Sequence, residues 1–234
     1  DIKIPYTPRK HQKFLHQQID KNRWSVLVCH RRFGKTVCMI NHLIKSALMC
    51  KEKNPRFAYI APTFKQAKTI AWDYMKQFTD KIPHTKFNET ELRVDLPNGA
   101  RITLLGSDSP DGLRGIYLDG CVIDEYANVN SKLFPEIIRP ALSDRKGYCV
   151  FIGTPAGMNN NFYELYQHAN GADDWFNYKA KASETNIVDE DELVKAKEVM
   201  GDKKYQQEFE CDWIANIEGA VYGDVVGKLD DDKQ

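Results

Sequence analysis

No apolar run in this chain approaches membrane-spanning length and no secretory leader is visible, so a cytoplasmic protein is expected. Net charge is also missing. Thirty-three basic and 33 acidic residues cancel, so no overall field draws the chain to nucleic acid or to an anionic surface. Any nucleic-acid contact must come from a local patch or from several copies acting together. The six cysteines include no CxxC pair and read as small buried hydrophobes in a reducing compartment. The six histidines show no ligand spacing such as HExxH, which leaves a histidine-built metal centre without a signature. No internal repeat or low-complexity linker occurs before residue 215. What remains is an ordinary globular composition, 42% hydrophobic and 28% charged, over 234 residues. That length suffices for one large domain, or one domain with an appendage, around a substantial core.

Against this background one stretch stands out, Trp24 to Thr36, WSVLVCHRRFGKT. Ser25 to Cys29 is uncharged and reads as a strand buried on both faces. The chain then breaks into His30-Arg31-Arg32-Phe33-Gly34, and Lys35-Thr36 opens a segment with apolar Val37, Ile40, Ile44 and Ala47 at helical spacing. Strand, basic loop and helix start make a phosphate cradle, because loop amides and the helix N-terminus aim a row of N–H donors at one anion. Lys35 is expected to reach the β- and γ-phosphates, and the Thr36 hydroxyl to bind the accompanying Mg²⁺. The loop departs from GxxxxGK[ST], since Cys29 stands where the first glycine would be.

Upstream, PRKHQKFLHQQID reads as a helix with Phe14, Leu15 and Ile19 on one side, and its Gln12 is a candidate reader of an adenine edge, having a donor and an acceptor on one amide. Downstream, Phe57 to Ala61 reads as a second buried strand and Phe64 to Phe78 as one helix, with Ala67, Ala71, Tyr74, Met75 and Phe78 facing inward. The period then changes to two. Leu92, Val94 and Leu96, the turn at Pro97-Asn98-Gly99, and Ala100, Ile102 and Leu104 predict a β-hairpin. A Gly- and Asp-rich loop at 106–115 carries Arg114, and the run Cys121-Val122-Ile123 closes on Asp124-Glu125. An acidic pair at the carboxyl end of a buried strand is placed to meet a ligand held by a parallel sheet. Asp124 is expected to hold Mg²⁺ through a water, and Glu125 to orient and deprotonate the attacking water. Short helices are expected around Pro135 and Pro140, then a strand at Tyr148 to Ile152 leading into Gly153-Thr154-Pro155, a candidate sensor of the γ-phosphate. The remainder predicts a helix at Phe162 to Ala169, a strand at Phe176 to Lys181, a helix at Glu190 to Met200 capped by Asp189 and Glu192, and a helix near Lys203 to Cys211. Lys65, Lys68, Lys76, Arg93 and Arg101 read first as a solvated basic face.

The motifs HRRFGKT, LPNGARITLLGSDSPDGLRG, VIDEYA, IGTP and EFECDW, in this order, resemble the ATPase domain of phage large terminase subunits. The resemblance covers roughly residues 5 to 220. It implies an α/β P-loop NTPase of the ASCE, RecA-like type, with a mostly parallel sheet flanked by helices and a β-hairpin insertion. It also implies an ATPase that moves double-stranded DNA into a procapsid, with Mg²⁺ and ATP at the site. Implied partners are the portal, the small terminase subunit and further copies in a pentameric ring, with the isolated domain a monomer in the host cytoplasm. By the same resemblance Arg31 contacts the phosphates within its own subunit, while Arg114 matches an arginine inserted into the neighbour's site. Arg32, Phe33 and Gly34 complete the nucleotide loop, Gln12 matches the adenine motif, and Gly153-Thr154 the coupling motif. The expected division is an ATPase domain at 1–215 and a linker at 216–234 toward a nuclease domain that is absent, so Asp224 is not assigned as a nuclease ligand.

Other readings differ in what they require. A helicase-like DNA-dependent ATPase should bring a second RecA-like lobe. A nucleotide-binding scaffold should lack the lysine or the glutamate, and both Lys35 and Glu125 are present. A small-molecule kinase has no use for a water-positioning Glu125.

Overall fold

The computed structural model describes residues 3–109 and 113–214. Its centre is a sheet of eight strands: β1 (Trp24–Cys29), β2 (Arg56–Ala61), β3 (Lys86–Asn88), β4 (Arg93–Asp95), β5 (Arg101–Gly106), β6 (Gly120–Asp124), β7 (Tyr148–Gly153) and β8 (Trp175–Ala180). The order across the sheet is β3-β4-β5-β2-β6-β7-β1-β8. From β5 to β8 every neighbouring pair is parallel, and β3 and β4 extend the edge antiparallel.

The uncharged runs become strands because both of their faces are covered. Leu27, Tyr59, Val122, Val150 and Ile152 enter one apolar cluster with Ile40, Leu43 and Ile44 of α2 (Lys35–Met49), and with Leu15 and Ile19 of α1 (Lys10–Ile19). Their alternating neighbours Val26, Val28, Ile60, Ile123 and Phe151 enter a second cluster with Ile137, Phe162 and Trp213. Residues of opposite parity thus serve opposite layers.

After β2 the chain forms α3 (Phe64–Ala67), a π-helical stretch at Lys68–Trp72, and α4 (Asp73–Thr79). The expectation of one regular helix needs correction here. Trp72, at the end of this wider turn, is buried and Tyr74, expected inside, is 40% exposed, while Ala67, Ala71, Met75 and Phe78 face inward as expected. The hairpin forms with Val94 opposite Ile102, and because β5 also pairs with β2 in parallel it joins the edge of the main sheet. β3 was not foreseen.

A second π-helical turn at Phe134–Ile138 runs into α5 (Arg139–Ala141), followed by α6 (Asn161–Asn170), α7 (Ala182–Thr185), α8 (Glu190–Met200) and α9 (Asp202–Glu208). The helix at Glu190–Met200 has its expected bounds, yet Asp189 makes no side-chain cap bond, so the expected capping pair does not form. Of the basic residues read as a solvated face, Lys76 pairs with Asp73 and Glu89, and Arg93 and Arg101 both pair with Asp95. The expected linker at 216–234, with Asp224, lies outside the described residues. Among the described residues no helix is long and apolar enough to cross a membrane.

Candidate active site

The carboxyl ends of β1, β7 and β6 lie side by side, and the site grows out of their register. Across β7, Asp124 is level with Ile152, which is itself level with Leu27 of β1. Beyond the sheet, the outer chains continue into the basic loop on one side and into Glu125 on the other. Lys35 and Glu125 therefore border the same two adjoining cavities. One, of about 360 Å³, is also lined by Arg31, Asn128, Thr154, Gln207 and Glu208. The other, of about 450 Å³, includes Arg32, Gly34, Thr36, Tyr74 and Asp124.

The loop is held from several sides. Gly34 caps α2 with a φ of 88°, a left-handed conformation that glycine adopts without strain. A Cβ there would also come within 2.9 Å of the Gln12 Nε2. That amide nitrogen donates to the Gly34 carbonyl at 3.2 Å, while the Gln12 Oε1 accepts from the Arg9 N–H at 2.9 Å. Gln12 is thus bonded to the phosphate loop itself, and reading an adenine edge would require it to exchange these partners. The Phe33 side chain is fully buried between the rings of His11 and His30, so only its backbone is available to a nucleotide. Lys35 rests with its Nζ donating to the Cys29 carbonyl at 3.4 Å. Arg32 is exposed with a φ of 71°.

On the acidic side, Asp124 is 4% exposed and both of its oxygens are engaged. Oδ2 accepts from the Tyr59 hydroxyl, and Oδ1 from the Glu125 N–H at 2.9 Å. Burial raises its pKa, opposed by the Tyr59 hydrogen bond and by Lys35. Glu125 sits in the left-handed region with φ 48° and ψ 47°. This conformation is strained for a residue with a side chain and is found disproportionately at functional sites. Burial pushes the Glu125 pKa up to about 7, the Asp124 charge adds to the rise, and Lys35 opposes it. Gly153 makes room for that turn: a Cβ on it would lie 3.3 Å from the Phe162 ring and 3.5 Å from the Glu125 Cα. Thr154 follows it on the cavity wall.

Arg31 is 61% exposed at its side chain and faces Glu208 at 3.8 Å. Arg114 is exposed in the segment before β6 and borders a different cavity with Glu136, Pro140 and Asp144, so the fold does not bring it to this chain's own cleft. Several neighbours were not foreseen. Tyr59, Asn128 and the adjacent pair Gln207-Glu208 come from three separate parts of the chain, and Glu208 alone carried a signal, as part of EFECDW.

A cation arriving on a triphosphate would meet hard oxygen donors, the Thr36 hydroxyl and the Asp124 carboxylate, of the type Mg²⁺ takes. Among the described residues no cluster of three or more His, Cys, Asp or Glu side chains forms an all-protein cage. A metal that keeps its waters and the nucleotide's oxygens as most of its shell needs none, so the residues fit that ion.

Strand, glycine-capped loop, Lys-Thr at a helix start and an Asp-Glu pair two strands away define a P-loop NTPase with an extra strand between the two motifs. The family described as the N-terminal part of the T4-like virus type terminase large subunit matches residues 28–223, and the chain belongs to it. The large terminase subunit of Thermus phage G20c is 31% identical over 126 residues, covering 46% of this chain and 26% of that protein, and that of Thermus virus P23-45 matches to the same extent. The match therefore spans about a quarter of the length of these relatives. Among solved structures, the large terminase ATPase domain of Thermus phage P74-26 superposes with a TM-score of 0.75 at 21% identity, covering 90% of this chain and 95% of that one. The large terminase of a thermophilic bacteriophage, solved in complex with ADP, gives 0.74 at 16% identity, over 87% of this chain and 53% of that one. At these identities the likeness is one of fold.

Proposed function

We propose that this cleft hydrolyses ATP with Mg²⁺ and that the cycle drives double-stranded DNA into a viral procapsid. The observation that carries the first half is the meeting of Lys35 and Glu125 on the walls of the same two cavities. The loop amides and the N-terminus of α2 hold the phosphate chain, and Lys35 leaves the Cys29 carbonyl for the β- and γ-oxygens. Thr36 and Asp124 hold Mg²⁺, which when bound neutralises charge on the β- and γ-phosphates. Glu125 accepts the proton of the attacking water, a task suited to a carboxyl whose pKa lies near the working pH. Arg31, exposed at the mouth of the cleft, swings onto the γ-phosphoryl oxygens as their charge builds. Thr154, on the same cavity wall as Glu125, meets the γ-phosphate and registers its loss.

Packaging itself rests on family membership, with the portal, the small terminase subunit and a pentameric ring of copies as partners in the host cytoplasm. Arg114, remote from its own cleft, is proposed to serve the neighbour's site. Gln12 is proposed to join the adenine on nucleotide binding.

The test is Glu125→Gln, which should keep ATP binding and lose turnover, assayed with and without DNA and procapsids. Hydrolysis that persists in the variant would remove Glu125 as the base. Turnover raised by DNA but indifferent to procapsids would favour a helicase-like ATPase over a packaging motor.

A further inference from the structure

Tyr59 lies in the middle of β2, one strand away from the acidic pair, and is completely buried. Its register partners are Leu104 on β5 and Val122 on β6, so its ring packs into the layer between the sheet and α2. Nothing in that apolar layer calls for a phenol, and phenylalanine would fill the same volume. The hydroxyl, however, reaches the upper edge of the sheet and donates to the Asp124 Oδ2. One buried oxygen therefore holds the carboxylate at the end of β6, and that carboxylate lines one cavity with Thr36 at the start of α2.

We propose that Tyr59 is the positioning residue of the Mg²⁺ site, fixing the orientation of Asp124. The inference rests on the ATP·Mg²⁺ reading of the cleft. Asp124 is clamped at both oxygens, by Tyr59 on one side and by the Glu125 N–H on the other. Its carboxylate plane is thereby set before any cation arrives. Removing the Tyr59 clamp leaves Asp124 held by one bond from the strained Glu125 turn and lets the carboxylate rotate. Partners that orient a ligand of a metal are worth about 10–100-fold in metal affinity or activity when removed.

The experiment is Tyr59→Phe, which deletes one oxygen and keeps the packing, with the thermal midpoint in metal-free buffer confirming the fold. Binding of a fluorescent, non-hydrolysable ATP analogue is measured in EDTA and then across a Mg²⁺ titration. The expected result is unchanged affinity in EDTA and a Mg²⁺ midpoint raised about tenfold or more. A folded Tyr59→Phe protein with the Mg²⁺ midpoint of the unaltered protein would overturn the assignment. So would an equal loss of binding with and without metal, which would make Tyr59 a packing residue only. If the unaltered protein itself shows no Mg²⁺-dependent gain in nucleotide affinity, the ATP·Mg²⁺ reading fails first and takes this inference with it.

Discussion

Arg31 donates its backbone N–H to the Glu208 carbonyl at 2.8 Å, and its guanidinium faces the same residue's carboxylate at 3.8 Å. Arg31, proposed to act at the phosphates, is thus docked at both backbone and side chain on α9. The adjacent Gln207 donates to the Pro155 carbonyl at 2.7 Å, so one short helix touches the phosphate loop and the turn after β7 together. α9 thus bridges the two beyond the ends of β1 and β7.

For Arg31 to meet a γ-phosphate it must leave Glu208. The pair is more than half exposed on the arginine side, where such contacts contribute up to about 1 kcal/mol. Glu208→Gln should therefore tighten ATP binding by up to about fivefold, read as a lower KM. Arg31→Ala should lower kcat by about a hundredfold or more if Arg31 stabilises the transferring charge. A Glu208→Gln protein with weakened ATP binding would mean that Glu208 orients Arg31 rather than competing for it.

Glu125 predicts opposite effects on activity and stability. Its folded pKa, about 7, lies above the ordinary value of 4.5, so the folded protein holds a proton there that the unfolded chain releases. Its stability contribution is present below pH 4.5 and is lost as pH rises through 7. At pH 8 without metal, Glu125→Gln should accordingly melt a few degrees higher than the unaltered protein, with the difference gone near pH 4.5. Activity runs the other way, because the base must be ionised: kcat/KM should rise with pH through a step near 7, and excess Mg²⁺ should move that step lower. Equal melting temperatures for the two proteins at pH 8 would count against a strained, repelled carboxylate.

A buried histidine pair sets the acid limit. His16 and His42 stack with their Nδ1 atoms 2.9 Å apart, and Tyr6, Cys38, Asp20 and Lys45 face them from the surrounding elements. Burial pushes His16 down to about 4 and His42 down to about 3. Below the unfolded value of 6.5 the unfolded chain binds protons that the folded chain refuses, so stability is complete above 6.5 and lost as pH falls toward 4. Each such proton is worth about 1.4 kcal/mol per pH unit, and Glu125 offsets part of this between 7 and 4.5. His42→Gln, which keeps a polar partner for His16, should flatten the fall of melting temperature between pH 6.5 and 4.5. An unaltered slope would place the acid sensitivity elsewhere.

The sequence disclosed what depends on local pattern. Uncharged runs became β1, β2, β6 and β7 because burial on both faces demands apolar residues at every position, and alternation at Leu92 to Leu104 disclosed the hairpin for the matching reason. β3 was invisible because Lys86-Phe87-Asn88 is short and largely exposed. The π-helical stretch left no mark either, since Lys68 to Trp72 has no proline or glycine to announce a wider turn. At the site, Lys35, Thr36, Asp124 and Glu125 were legible because each sits at the end of a readable element. Tyr59 was not, and Glu208 showed only as part of EFECDW with no role attached, because their contacts at the site form across strands and helices far apart in the chain.

Arg114 stands apart from the cleft it is proposed to serve. It borders a cavity with Glu136 and Asp144, in the segment that leads into β6. That cavity shares no lining residue with the two that Lys35 borders, and a neighbouring copy is proposed to present Arg114 to the site. Mixing two inactive proteins separates the possibilities. Arg114→Ala subunits keep an intact cleft and Glu125→Gln subunits keep an intact arginine, so an assembly of both contains shared sites in which cleft and arginine are each sound. Hydrolysis by the mixture, under conditions where the unaltered protein assembles, should recover to a sizeable fraction of normal and peak near equal proportions. A mixture as inactive as its components would mean that Arg114 supports only its own chain.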